Sequence, residues 1–205
     1  MIELVNINKK FGNKVVLKDF SLKIEDTDFI AIVGESGKGK TTLLNIIGLL
    51  EQSDSGDIII EEQMNPNKKQ TLLLQREKLA YLFQNYALME NETVEKNLLI
   101  ALEYQKNIDK RKIIKEALQK VNLPNYEKKK IFELSGGEQQ RIALARILIK
   151  KCDYILADEP TGNLDNNNRD LVFNILKDLN EDGKTIIFVT HDMELASRAK
   201  KIITI

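Results

Sequence analysis

Phe29-Ile30-Ala31-Ile32-Val33-Gly34-Glu35-Ser36-Gly37-Lys38-Gly39-Lys40-Thr41-Thr42 is the stretch that decides the fold. An unbroken apolar run ending at a glycine describes a short strand buried on both faces, as found at the centre of a parallel sheet. Gly34 to Thr41 then fits the spacing G-x-x-x-x-G-K-[ST]. Beyond it, Leu43, Leu44, Ile46 and Ile47 give Thr41 to about Leu50 the wide apolar surface of a helix. Strand, glycine loop and helix in that order predict a phosphate cradle. Glycines let backbone amides curl around phosphate oxygens, and the helix N-terminus adds about half a positive charge there. Lys40 is placed to reach the outer phosphates and the Thr41 hydroxyl to ligate Mg²⁺, with Glu35, Ser36, Gly37, Lys38, Gly39 and Thr42 completing the loop. The competing reading, a glycine-rich turn that holds nothing, leaves the Lys-Thr pair and its context unexplained.

Two later stretches extend the pattern. Tyr154-Ile155-Leu156-Ala157-Asp158-Glu159 reads as an apolar strand ending in paired carboxylates. In an open α/β sheet, ligands bind beyond the carboxyl ends of the strands. Asp158 therefore suits Mg²⁺ and Glu159 suits orienting an attacking water, although Asp-Glu-Pro after a strand is also an ordinary turn. Leu134-Ser135-Gly136-Gly137-Glu138 precedes a helix predicted over Gly137 to Lys150. Ser135 and Glu138 have capping-box spacing, which needs no function. Adjacent glycines fit that account poorly, since they cost backbone entropy at a helix start unless something must approach the main chain. Serine hydroxyl and glycine amides at a bare helix N-terminus form an anion site. A chain with one phosphate cradle then carries a second phosphate contact, and each is most economically read as completing a site on another subunit.

Around these stretches, Ile2 to Ile7 and Val15 to Ile24 alternate as antiparallel strands. Asp57 to Ile60 and Leu79 to Phe83 read as strands around a polar loop, Asn65 to Lys69. Residues 85–150 turn helical, with Ile113, Ile114, Ala117, Leu118 and Val121 on one face and Pro124 as the stop. A helix over roughly Asn167 to Leu179 separates the strand ending at Ala157 from Thr185 to Val189, and Lys201 to Ile205 reads as an edge strand. Strands alternating with helices imply a parallel α/β core. Lys128-Lys129-Lys130 reads as a solvated face.

A chain of 205 residues supports one domain with an insertion, expected here as residues 1–84 and 151–205 (core and β subdomain) and 85–150 (helical subdomain). Lys plus Arg number 31 against 31 acidic residues, so there is no basic footprint for nucleic acid. Cys152 is the only cysteine, which excludes an intramolecular disulfide and points to an intracellular protein. Its apolar runs fall short of a membrane span and the N-terminus does not read as a secretory signal. Any membrane work therefore requires another polypeptide.

In its ordered motifs the chain resembles the ATP-binding subunits of ABC transporters, over essentially its whole length. The resemblance implies a P-loop NTPase core with a RecA-like parallel sheet, an N-terminal antiparallel β subdomain and an inserted α-helical subdomain. It implies an ATPase that takes ATP and Mg²⁺, with two subunits sandwiching two nucleotides, the cradle of one facing Ser135, Gly136, Gly137 and Glu138 of the other. Phe11 matches the aromatic that stacks on adenine, where tyrosine is more usual. Gln84 matches the glutamine that senses Mg²⁺ and the γ-phosphate and faces the membrane partner. Asp165, in Asn163-Leu164-Asp165, matches the loop crossing the dimer interface, and His191 matches the histidine at the γ-phosphate. Read singly, Phe11 is also ordinary core, Gln84 a surface polar group, Asp165 a helix cap and His191 a structural histidine. Lys38 departs from the family, which commonly has serine there.

Ala157-Asp158-Glu159-Pro160-Thr161-Gly162-Asn163-Leu164-Asp165 is similar to the macrolide-export, lipoprotein-releasing and cell-division branch. Tyr81-Leu82-Phe83-Gln84-Asn85-Tyr86-Ala87-Leu88 looks most like bacteriocin-export proteins of the lactococcin group. This implies a motor on the inner face of the cell membrane, as a homodimer or with a paralogous ATPase, serving a transmembrane permease. A regulatory ATPase that carries no cargo shares every one of these residues. Chromosome-type heads need a long coiled coil, for which the segment between Gln84 and Ser135 is too short. Translation-type relatives normally carry two such domains, and a G-protein or small-molecule kinase leaves Ser135 to Glu138 unexplained.

Overall fold

A computed structural model of the chain describes residues 1–162 and 164–205, without the side chains of Asn166 and Asn167. Asn163 of the Asn163-Leu164-Asp165 stretch thus lies outside the described residues. In chain order the elements are β1 (Ile2–Phe11), β2 (Lys14–Ile24), β3 (Phe29–Val33), α1 (Lys40–Ile47), β4 (Ser55–Ile60), β5 (Gln63–Met64), α2 (Lys68–Glu77) and β6 (Leu79–Leu82). There follow α3 (Val94–Leu99), α4 (Lys110–Lys120), α5 (Gly136–Ile149), β7 (Tyr154–Asp158), α6 (Asn166–Glu181), β8 (Thr185–Val189), α7 (Met193–Ser197) and β9 (Lys201–Thr204). The chain divides into two compact units, one of residues 1–81, 152–159 and 180–205, the other of residues 82–151 and 160–179.

The first unit is built on two sheets. One has the order β6-β7-β8-β3-β9, and its β7–β8, β8–β3 and β3–β9 pairs are parallel. The other, β2-β1-β4-β5, is antiparallel. Every residue of β3, β7 and β8 is buried, as their unbroken apolar runs require. Leu43, Leu44, Ile46 and Ile47 of α1 join Ile32, Leu156, Ile187 and Val189 in one apolar cluster. Each such burial contributes about 1.5–3 kcal/mol, so the helix behind the glycine loop is firmly seated. Buried Asn180 ties the start of the sheet together, its Nδ2 donating to the carbonyls of Thr27, Asp28 and Lys184. Pairing Asp158 with Val189 and Val189 with Ile32 sets the carboxyl ends of three strands level. Whatever follows them meets at one edge.

Several elements differ from the sequence reading. β1 continues past Ile7 because its hairpin pairing with β2 runs out to Phe11 opposite Lys14. The polar loop expected over Asn65 to Lys69 gives way to α2. Asn67 caps that helix by accepting from the amides of Lys69 and Gln70, while Gln70 accepts from the Asn67 amide. Only Leu74 of α2 is buried, so the helix has little apolar period to betray it. The short α7, capped by Asp192, also goes beyond the expected strands and helices. β9 lies at the sheet edge beside β3, as expected.

In the second unit α3, α4 and α5 pack on one another, and their Val94, Leu98, Ile114, Ala117, Leu118, Ile142 and Leu144 are buried. α4 stops before Pro124, with Asn122 in the left-handed region. Two polar side chains fix the loop that follows β6. Buried Asn97 accepts from the Met89 amide at 2.7 Å and donates to the Met89 and Thr93 carbonyls. Arg146 of α5 donates to the carbonyls of Tyr86 at 2.8 Å and Ala87 at 2.6 Å.

Candidate functional site

Gly34 to Thr41 leaves β3 and enters α1 as a tight glycine loop. Gly39 stands at the helix start with φ 99°, and a Cβ there would come within 2.3 Å of Val16 Cγ1. Both the left-handed backbone and the absent side chain are therefore obligatory at this position. The α1 N-terminus has no side-chain cap, which leaves its first amides directed at the loop. Lys40 is buried, and its Nζ donates to the carbonyls of Gly34 at 2.9 Å and Glu35 at 3.0 Å. Its charge thus sits over the loop, where an anion held by those amides would meet it.

Thr41, the next residue, donates from Oγ1 to Oδ1 of Asp158 at 3.2 Å. Asp158 is buried at the end of β7, and burial pushes its carboxyl above the ordinary value; the Thr41 hydroxyl and Lys40 ammonium pull it back, while neighbouring Glu159 adds to the rise. Glu159 follows with φ 48°, its amide donating to the Val189 carbonyl. Its Oε1 lies 2.9 Å from Nδ1 of exposed His191, which follows β8. The register of the three strands accordingly brings Lys40, Thr41, Asp158, Glu159 and His191 to one sheet edge. Hard oxygen donors on Thr41 and Asp158 fit Mg²⁺, which binds through one or two carboxylates together with substrate phosphates.

The hairpin of β1 and β2 borders this edge, carries the expected Phe11, and adds Lys9, Lys14 and Val16, which sequence reasoning missed. Phe11 is half exposed at the hairpin tip, with buried Lys9 Nζ 5.0 Å from its ring centroid. Lys14 Nζ donates to the Gly37 carbonyl at 3.1 Å. Lys14 and Val16 share one face of β2, so a single face both grips Gly37 and fills the space at Gly39. Lys38 points to solvent, 3.5 Å from Glu35 Oε2. Only the period-2 spacing of Lys14 and Val16 hinted at this brace. Lys9 had no local signal.

In the helical unit, Ser135 caps α5, its Oγ accepting from the Glu138 amide at 3.3 Å and Glu138 Oε2 accepting from the Ser135 amide at 2.8 Å. Tyr126 donates to Glu138 Oε1 at 2.7 Å, and this bond, with those from Ser135, holds the Glu138 carboxyl below its ordinary value. The capping box is therefore real. It does not explain the glycines, because neither Gly136 nor Gly137 has positive φ. A Cβ would meet nothing nearer than Tyr86 Oη at 3.6 Å or Leu164 Cδ2 at 3.5 Å, which are ordinary contacts. Asp165 caps the start of α6, accepting from the Asn168 amide at 3.0 Å and from its Nδ2 at 2.5 Å. Gln84 is exposed just past β6.

A family model described as "ABC transporter" matches residues 17–162. The macrolide export ATP-binding/permease protein MacB of Campylobacter jejuni is 43% identical over 209 residues, covering 100% of this chain and 33% of the relative. The chain thus spans about a third of the length of the curated relatives it matches. Among solved structures, the dimeric MJ0796, a bacterial ABC transporter cassette, superposes with a TM-score of 0.92 at 36% identity, covering 100% of this chain and 94% of that one. The post-hydrolysis state of MJ0796 bound to ADP and Pi matches with the same TM-score at 35% identity and the same coverage. Among the described residues no helix is long and apolar enough to cross a membrane. The fold is the α/β P-loop NTPase fold, and the chain belongs to the ABC transporter family as an ATP-binding cassette of its ATPases.

Proposed function

We propose that the chain is the ATP-hydrolysing motor of an ABC transporter, working as a nucleotide-sandwich dimer on a transmembrane permease. One observation carries the chemistry: Thr41–Asp158 and Glu159–His191 stand as two bonded pairs at the edge where Lys40 covers the glycine loop. Lys40 and the amides of Gly34 to Thr42 hold the β- and γ-phosphates. Thr41 and Asp158, with Gln84, would hold Mg²⁺, whose charge would offset that of the phosphates. Glu159 accepts a proton from the attacking water, and His191 orients Glu159 and contacts the γ-phosphate. Phe11 stacks on adenine. Ser135, Gly136, Gly137, Glu138 and Asp165 act on the nucleotide of the opposite subunit. A glycine pair that its own chain does not require supports that assignment.

Dimer closure does work because ATP binds the closed state better than the open one. The partner is an identical chain or a paralogue, and the pair sits on the inner face of the cell membrane. Resemblance to the lactococcin group and identity with macrolide exporters support export of a bacteriocin, antimicrobial peptide or similar compound. Glu159→Gln tests the motor. It should bind ATP, lose turnover by about 10²–10⁴-fold and elute as an ATP-dependent dimer. Elution only as a monomer with ATP refutes the sandwich. Ser135→Arg should keep ATP binding by the isolated subunit and abolish hydrolysis. ATP-dependent flux of a labelled peptide through reconstituted permease tests the cargo.

A further inference from the structure

Lys9 is a buried lysine that the proposed chemistry leaves without a task. Its Nζ lies 2.5 Å from Glu51 Oε1, 3.7 Å from Asp54 Oδ1, and donates to the Gln52 carbonyl at 2.7 Å. The Glu51 carboxylate, aided by Asp54, raises its pKa above the ordinary value, so it stays charged. Glu51 and Gln52 lie just beyond the end of α1, the helix that the phosphate loop enters. The same ammonium lies over the ring of Phe11, 5.0 Å from its centroid, and Phe11 is half exposed.

Phe11 has no hydroxyl with which to anchor itself, and it stands half exposed at a hairpin tip. A cation on one ring face anchors it electrostatically. It also draws π-density toward itself, leaving the outer face better suited to an electron-rich heterocycle than to another cation.

We infer that Lys9, held by Glu51 and Gln52, is a positioning residue that locks and polarises Phe11 as the platform for the nucleotide base, and so ties base recognition to the end of the phosphate-loop helix. This rests on the reading of Phe11 as the adenine platform. The phosphates are not its concern: Lys9 belongs to the base end of the site, and inorganic tripolyphosphate has no base.

The experiment compares the full chain with Lys9→Met, Lys9→Arg, Phe11→Ala and the Lys9→Met/Phe11→Ala double variant, measuring Kd for ATP and for tripolyphosphate by calorimetry. Tripolyphosphate affinity should be unchanged throughout, which also certifies the fold of each variant. ATP affinity should fall about tenfold in Phe11→Ala, the usual worth of base–aromatic stacking. It should fall about fivefold in Lys9→Met, in the range of a partly desolvated cation–π contact. Lys9→Arg keeps the charge and the carboxylate partner and should retain most of the affinity. The double variant should bind ATP no more weakly than Phe11→Ala alone, because without the ring the ammonium has nothing to position.

Equal losses for ATP and tripolyphosphate in Lys9→Met overturn the inference, since they mark general damage. So do additive losses in the double variant, or an unchanged ATP Kd in Lys9→Met while Phe11→Ala weakens it. An unchanged ATP Kd in Phe11→Ala refutes the adenine platform itself, and the inference falls with it.

Discussion

Gly136→Ala separates what this chain needs for itself from what a second chain would need of it. Gly136 is the first residue of α5, has no positive φ, and a Cβ would find only Tyr86 Oη at 3.6 Å. Alanine fits that space without displacing anything. At a compatible position it stabilises by about 0.4–1 kcal/mol, because the unfolded chain loses more freedom than the folded one. For a domain of this size that raises Tm by about 1–4 °C. The Ser135–Glu138 capping box does not involve the side chain at 136 and should persist. If a partner's nucleotide lies against this helix N-terminus, a methyl group there holds it off the amides. Turnover should then fall by about 10²-fold or more, as when one charge-stabilising donor is lost. The assay pairs a thermal melt of the free subunit with steady-state ATPase rates and gel filtration with ATP in a Glu159→Gln background. A variant that is more stable, equally active and still dimeric would refute the view that the glycines serve an incoming phosphate.

Lys40→Ala should lose ATP affinity itself, by about tenfold or more, since it removes a buried ammonium over the loop; calorimetric binding checks this. Lys38→Ser should leave the isolated subunit's ATP affinity within about twofold, because Lys38 is exposed and lies 3.5 Å from exposed Glu35. A larger change gives that ammonium a phosphate role. Tyr126→Phe should cost about 1 kcal/mol at neutral pH by removing the largest cause of the depressed Glu138 pKa. A carboxylate with a depressed folded pKa stabilises fully above its unfolded value of about 4.5 and loses that contribution as pH falls through the folded value. The gap between wild type and Tyr126→Phe should therefore narrow in denaturation midpoints as pH falls below about 4.5.

The legible parts of this fold were those with a strong local period or a fixed spacing. β3, β7 and β8 announce themselves as unbroken apolar runs, and α1 through its wide apolar face. Lys40, Asp158 and Glu159 follow from their places at the ends of such runs. α2 was hidden because Leu72, Leu73 and Leu74 are consecutive and only Leu74 turns inward. Its clearest sign was the Asn67–Gln70 capping pair, which sat inside a stretch that also reads as a polar turn. Contacts between distant segments had no sequence signal at all. Lys9 meets Glu51 across 42 residues, and Lys14 meets Gly37 across 23. Nor does composition indicate that burial raises the Asp158 pKa, since that depends on strands which enclose it only after folding.

The same limit applies to the backbone at Glu159, and there it bears on the chemistry. Along a regular strand, Asp158 and Glu159 would send their side chains to opposite faces of the sheet. The left-handed turn at Glu159 ends that alternation. A non-glycine residue in this region carries a cost of about 1–2 kcal/mol, which persists only where surrounding structure imposes it. Two contacts do so here: the Glu159 amide on the Val189 carbonyl, and the Glu159 carboxylate beside His191. Both come from β8 or the residues just after it, so the parallel pairing of β7 with β8 sets the aim of the carboxylate. Backbone strain at this position and a carboxylate free to be aimed independently of Asp158 are therefore one feature. A glycine would adopt the turn more readily but would have no group to present to water.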